Sequence, residues 1–123
     1  MHYPLLWKFR TLRAIHAKGV RQNRRFLDAW ATCEGGTAEN NPLNTTEPWP
    51  GATDYNAVGV KNYPTGASGI AATAATLVNG HYDGIVADLR AGKLSALDIA
   101  KANSHELDVW GTGGARVVAE LST

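Results

Sequence analysis

Glu34 is the residue of this 123-residue chain best placed to move a proton. It closes a run from about Val20 to Glu34 in which Phe26, Leu27, Trp30 and Cys33 recur at helical spacing. Glu34 itself follows Leu27 by seven residues, on the same stripe. Gly35-Gly36 comes next and supplies the left-handed geometry that ends helices. A carboxyl group at such a position meets apolar surroundings and the negative end of the helix dipole, and both disfavour the charged form. A carboxylic acid that keeps its proton near neutral pH is what a general acid needs to protonate a leaving oxygen. The plainer alternative is a helix-end glutamate turned toward water.

Cys33 offers a different chemistry. A thiol nucleophile needs a histidine within hydrogen-bond reach and a third group to orient it. His81 or His105, with Asp108, are the partners available for that role. The same residue falls on the stripe with Phe26 and Trp30, where cysteine is commonly a buried, inert filler. The four histidines show no metal-binding spacing, and the glycines match neither a phosphate loop nor a dinucleotide fingerprint. No metal and no cofactor is therefore expected.

These groups must be positioned by a mostly helical frame. Leu5, Phe9, Leu12 and His16 predict a first helix over Pro4–His16, with Gly19 as its stop. Residues 37–68 read differently, with four of the five prolines and many Asn, Thr and Gly. That composition predicts an irregular lobe with room for brief strands near Leu43–Thr46 and Val58–Tyr63. Helical patterns resume with Ile70, Ala74, Leu77 and His81, and then with Tyr82, Ile85, Val86 and Leu89 before Gly92. Ser95 begins a further helix at Ala96–Ala102, Asp98 completing a weak capping box. Trp110-Gly-Thr-Gly-Gly reads as a turn before a short apolar tail, Ala115–Leu121.

Length and composition bound the remaining choices. A chain of this size forms one domain with one core, and 44% apolar with 19% charged residues is an ordinary globular balance. A single cysteine excludes an internal disulfide, and no apolar run approaches the roughly 18 residues of a membrane span, so no stable membrane anchor is expected. Lys8, Arg10 and Arg13 interrupt what would have to be the core of a signal peptide. The net charge of +1 hides an asymmetry: residues 1–25 carry seven of the 12 Lys and Arg and no acid, leaving five basic against eleven acidic residues, net −6, in the remainder. A basic end of this kind is a solvated helix face or a contact for an anionic polymer. Nucleic acid is the least favoured partner, because Arg21, Arg24 and Arg25 point in different directions around their helix.

Glu34-Gly35-Gly36, the asparagine-rich loop, Tyr55-Asn-Ala-Val-Gly-Val60 and Gly69-Ile70 opening a helix together resemble the lysozyme-like superfamily. The resemblance is to its lytic transglycosylase and goose-type lysozyme branch. Asn41-Pro-Leu-Asn-Thr-Thr46, Asp54-Tyr-Asn and Trp110-Gly-Thr-Gly look more specifically like lysozyme-like domains of actinobacterial phages and prophages. The match covers about Trp30 to Gly113. It departs from the family at Gly35, where the usual Glu-Ser-Gly-Gly type motif has a serine hydroxyl. Asn79-Gly-His-Tyr82 is only a loose counterpart of the family's Ala-Tyr-Asn motif.

The resemblance implies an α+β, predominantly α fold, a single lysozyme-like domain over residues 1–123. Its basic N-terminal helix would occupy 1–19, and its irregular lobe, 37–68, would flank a cleft. It implies a peptidoglycan-degrading glycosidase cutting the β-1,4 bond between N-acetylmuramic acid and N-acetylglucosamine, with Glu34 as acid and base and no cofactor. Asp54 is the second-carboxylate candidate, in competition with a role as a turn residue, and Glu39 and Glu47 share its lobe. Asn44, Thr45, Thr46 and Asn56 would hydrogen-bond sugar substituents, Tyr55 and Tyr63 offer faces to sugar rings, and Tyr82 would reach an acetamido group. Such a protein is expected to be phage-encoded, released through a holin pore or carried on the virion, and to hold anionic wall polymers with its basic N-terminal helices. The competing classes are a non-catalytic glycan-binding or virion module of the same fold, and a cysteine peptidase or amidase using Cys33.

Overall fold

A computed structural model describes residues 3–123; the first two residues of the basic segment lie outside the described residues. The chain is predominantly helical, with seven helices and one two-stranded sheet among the described residues. The helices are α1 (Trp7–Ala14), α2 (Arg21–Glu34), α3 (Gly66–Leu77), α4 (Asp83–Ala91), α5 (Ala96–Ala102), α6 (Ser104–Trp110) and α7 (Gly114–Leu121). β1 (Thr53–Asp54) and β2 (Lys61–Asn62) form an antiparallel hairpin in the lobe between α2 and α3.

α2 is the central element, packed against α1, α5 and α7. Phe26, Leu27 and Trp30 are fully buried along it, as their spacing requires. They join Leu12, Leu43, Leu77, Ile85, Leu89, Ile99, Leu107 and Val117 in one core. Asn23, also fully buried, donates from Nδ2 to the carbonyls of Lys18 and Leu89, both at 2.8 Å. That pair of bonds locks the start of α2 to the end of α4 and satisfies backbone groups that water cannot reach. α2 ends where expected, at Gly35 in the left-handed region.

The first helix departs from its predicted face. Leu6 takes a left-handed conformation ahead of it, so the helix starts at Trp7 and its buried residues are Trp7, Thr11 and Leu12, followed by Ile15. Leu5 and Phe9 are exposed at 74% and 44%, and His16 is exposed too. The larger indole takes the core position and turns the helix away from the Leu5–Phe9 register. His81 likewise leaves the stripe assigned to it, because α3 ends at Leu77.

The lobe is built by asparagine side chains rather than by strands. Asn41, fully buried, donates to the carbonyls of Thr45 (2.9 Å) and Lys61 (2.8 Å) and accepts from Thr45 N at 2.9 Å. Asn40 donates to the Tyr63 carbonyl, and Asn62 accepts from Glu39 N, each at 2.9 Å. These bonds replace the ladder that prolines exclude. The strand expected over Leu43–Thr46 is absent because Asn44 sits at φ 57°, outside extended geometry. Of the second expected strand, only Lys61–Asn62 forms.

Candidate functional site

Glu34 is half-buried at the last turn of α2, at the rim of the apolar stripe rather than inside it. Both carboxylate oxygens have neutral donors. Asn44 Nδ2 lies 3.0 Å from Oε1 and 3.2 Å from the Glu34 main-chain oxygen. The Thr112 hydroxyl is hydrogen-bonded to Oε2 and in turn accepts from Trp30 Nε1 at 2.7 Å. Among the described residues the ion pairs are Lys8–Asp28 and Lys61–Asp54, and Glu34 is in neither. A carboxyl group without a cationic partner, held by neutral donors at both oxygens, is equipped to exchange a proton with a third group.

Two segments besides α2 converge on that carboxyl. Asn44 comes from the lobe, pressed so closely on Gly36 that a Cβ there would lie 2.3 Å from Asn44 Oδ1. Thr112 comes from the turn between α6 and α7, flanked by Gly111 (φ 103°) and Gly113 (φ 93°). Those conformations are natural to glycine and leave Thr112 only 3% exposed, aimed at α2. Trp30 comes from α2 itself. The hydroxyl that meets Glu34 thus comes from a residue 78 positions further along the chain.

Beside this cluster lies a recess of about 90 Å³ lined by Asn44, Thr45, Thr46, Thr76, Tyr82 and Trp110. At about 30 Å³ per water it holds roughly three water molecules, the size of a small substituent. Its floor is aromatic: Trp110 packs on Trp30 and Tyr82, with ring centroids 4.8 and 5.0 Å apart. Trp110 Nε1 donates to the Leu43 carbonyl at 2.8 Å, and the Thr45 and Thr76 hydroxyls are 2.6 Å apart. Burial, and then the charge of Glu106, hold the Tyr82 phenol above its ordinary pKa, so it stays a neutral hydroxyl. A larger recess of about 490 Å³ lies elsewhere, between α1 and α3, lined by Arg10, Arg13, His16 and Ile70 among others. It contains no carboxylate.

Glu34, Asn44, Thr45, Thr46 and Tyr82, all singled out from the sequence, are therefore brought together. The other candidates are placed differently. Asp54 is exposed on β1 and paired with Lys61 at 2.5 Å, directly across the hairpin. Asn56 Oδ1 accepts from the backbone of Val58 (3.2 Å) and Val60 (3.0 Å), which makes it a turn-builder. Tyr63 is 1% exposed, so its ring has no face for a sugar. Its hydroxyl donates to the Glu47 carbonyl at 2.6 Å, and burial, with Glu47 beyond it, pushes its pKa up to about 12. Tyr55 is partly exposed and its hydroxyl bonds that of Thr37, bringing the hairpin back toward the end of α2.

Cys33 is half-buried, and among the described residues its thiol is hydrogen-bonded to no imidazole. Burial, the largest influence, raises its pKa despite the opposing charge of Arg116. That is the reverse of what a thiolate nucleophile needs. Sequence reasoning passed over Thr112. The available signal was a hydroxyl flanked by glycines directly after an aromatic residue, in the Trp110-Gly-Thr-Gly string. No family model, curated protein or solved structure matches the chain.

Proposed function

We propose that this chain is a peptidoglycan glycosidase of lysozyme-like fold, with Glu34 as its acid and base. The observation that carries the reading is the Glu34 carboxyl itself: without an ion-pair partner among the described residues, held by Asn44 and Thr112, and beside a recess of hydroxyls, amide and aromatic rings. Amphipathic sites of that composition suit sugars, whose ring faces stack on aromatics while their substituents hydrogen-bond. Glu34 gives its proton to the glycosidic oxygen as the bond from C1 breaks, and the electron pair of that bond leaves with the oxygen. The oxocarbenium-like centre at C1 is then captured by an oxygen nucleophile, whose proton returns to Glu34.

The nucleophile is either water, giving hydrolysis, or the muramic acid's own 6-hydroxyl, giving an anhydro ring. Asp54 is engaged by Lys61 on an exposed hairpin. That pairing favours the route in which Glu34 works without a second carboxylate. The recess suits one small substituent, such as the methyl end of an acetamido group, rather than a whole ring.

The setting we propose is a phage endolysin or a virion-associated lysin. Arg13, Lys18, Arg21 and Arg25 are exposed and pair with no carboxylate among the described residues, so these positive charges are available to an anionic wall polymer. Among the described residues no helix is long and apolar enough to cross a membrane.

A second reading, a glycan-binding module without turnover, is favoured by the small size of the recess. Digestion of purified peptidoglycan by the protein and by Glu34→Gln separates the two. Muropeptides released by the unmodified protein alone support the enzyme, and pelleting with walls without release supports the module.

A further inference from the structure

We infer that Thr112, oriented by Trp30, decides which oxygen of Glu34 carries the transferable proton, and that this oxygen is Oε1. The catalytic consequence rests on the reading of Glu34 as a general acid; the hydrogen-bond logic does not. An indole Nε1–H is a donor only, and that of Trp30, in a fully buried side chain, is committed to Thr112 Oγ1 at 2.7 Å. The Thr112 hydroxyl has one proton, and Glu34 Oε2 is the acceptor it meets. At 3% exposure the hydroxyl has little access to water, and Arg116 reaches only the Thr112 main-chain oxygen. A proton placed on Oε2 would compete with the Thr112 hydroxyl for that oxygen's lone pairs, so the arrangement favours Oε2 as the acceptor in both protonation states.

Oε1 has no such constraint. Its partner, Asn44 Nδ2, also contacts the Glu34 main-chain oxygen and keeps that contact when Oε1 is protonated. Asn44 in turn lines the recess, so the donor to Oε1 is shared between the carboxyl and the recess. When the proton leaves Oε1, the charge left behind is already met by Thr112 at Oε2 and by Asn44 at Oε1. Thr112 is therefore a positioning residue. It acts on Glu34 through Oε2, and a buried indole sets the direction of its hydroxyl.

The test uses the full chain with Thr112→Val, which keeps the shape and loses the hydroxyl, Thr112→Ser, which keeps the hydroxyl, and Trp30→Phe, which loses the N–H. Thermal unfolding checks that each variant is folded. Thr112→Val is expected to lower kcat for muropeptide release roughly 10- to 100-fold with KM little changed, from loss of one bond to a charged acceptor. The alkaline limb of its pH–rate profile should move to higher pH, while Thr112→Ser stays within about threefold of the unmodified protein. Among the described residues the groups near Glu34 are Tyr3 ahead of α1, Cys33 on α2 and Arg116 on α7, with Glu120 beyond Cys33. Tyr3 and Cys33 are both held above their ordinary values, each by burial first, so neither titrates where a carboxyl group does.

A second readout needs no activity. In an NMR pH titration of the unmodified protein, protonating Glu34 should shift the Asn44 side-chain amide strongly while the Trp30 indole proton keeps its hydrogen-bonded position. If the indole proton moves and the Asn44 amide does not, the proton sits on Oε2 and the inference is wrong. If Glu34→Gln abolishes release while Thr112→Val matches the unmodified protein in rate and pH profile, the inference fails and the glycosidase reading stands. If Glu34→Gln releases muropeptides normally, the glycosidase reading fails and the titration alone judges Thr112. Loss of fold in Thr112→Val likewise transfers the decision to Thr112→Ser and the titration.

Discussion

Replacing two adjacent glycines by alanine, one at a time, separates backbone strain from damage to the site. At Gly36 a Cβ would stand 2.3 Å from Asn44 Oδ1, 3.0 Å from its Cγ and 3.1 Å from its Nδ2. Ordinary contact begins near 3.4 Å, so the amide oxygen must retreat by about 1.1 Å. A displacement of that size carries Nδ2, now 3.0 Å from Glu34 Oε1, beyond hydrogen-bonding distance. A lost hydrogen bond to a charged carboxylate is worth about 1.5–3 kcal/mol, so Gly36→Ala should slow muropeptide release roughly 10- to 100-fold. At Gly35 the situation is reversed. The nearest atom to a Cβ is the Thr32 carbonyl oxygen at 4.0 Å, but φ is +58°. Gly35→Ala should cost about 1–2 kcal/mol of stability through backbone strain alone, with Asn44 in place and release nearly normal. Thermal unfolding, initial rates of release and the Asn44 side-chain amide resonances measure the three quantities. Equal loss of activity in both variants, or full activity in Gly36→Ala, would refute the claim that Asn44 holds Glu34.

Asn41→Ala removes two donated bonds and one accepted bond from a fully buried residue, so it should destabilise the lobe by about 2–4 kcal/mol and lower the melting temperature markedly. Asp54→Asn breaks an ion pair whose carboxylate is largely exposed, at a cost below about 1 kcal/mol, and should leave release within about threefold; loss of activity with an intact fold would return Asp54 to the mechanism. The Cys33 thiol, raised by burial, stays protonated beyond the pH at which a free thiol ionises. Its alkylation at neutral pH should be slower than that of a free thiol and accelerate only as the pH climbs; rapid labelling at pH 7 would reopen the nucleophile reading.

Much of the helical frame was legible because its signals are local. Phe26, Leu27 and Trp30 mark the buried face of α2, Gly35 its end, and Ser95 the cap of α5, accepting from Asp98 N at 3.1 Å. The first helix was misphased because a competition between Trp7 and the Leu5–Phe9 pair for the core is settled by tertiary packing, not by periodicity. α6, at Ser104–Trp110, leaves no periodic signature in the sequence because only Leu107 is buried along it. Within the site, Glu34 and Asn44 were readable from motif and position. Thr112 was not, since its bond to Glu34 spans 78 residues and depends on the turn that Gly111 and Gly113 permit. Tyr63 shows the converse: an aromatic in a polar lobe has the local signature of a ligand platform, and its burial depends on the lobe folding over it.

The proposal that Glu34 is the acid and base of a wall glycosidase is tested most directly by digesting purified actinobacterial peptidoglycan with the protein and with Glu34→Gln, and reading the products by mass spectrometry. The account predicts muropeptides from the unmodified protein and none from Glu34→Gln, with anhydro-muramic ends if Glu34 acts without a second carboxylate and reducing ends if water is the captor. Intact glycan strands after treatment with the folded, unmodified protein, or equal release by Glu34→Gln, would contradict it.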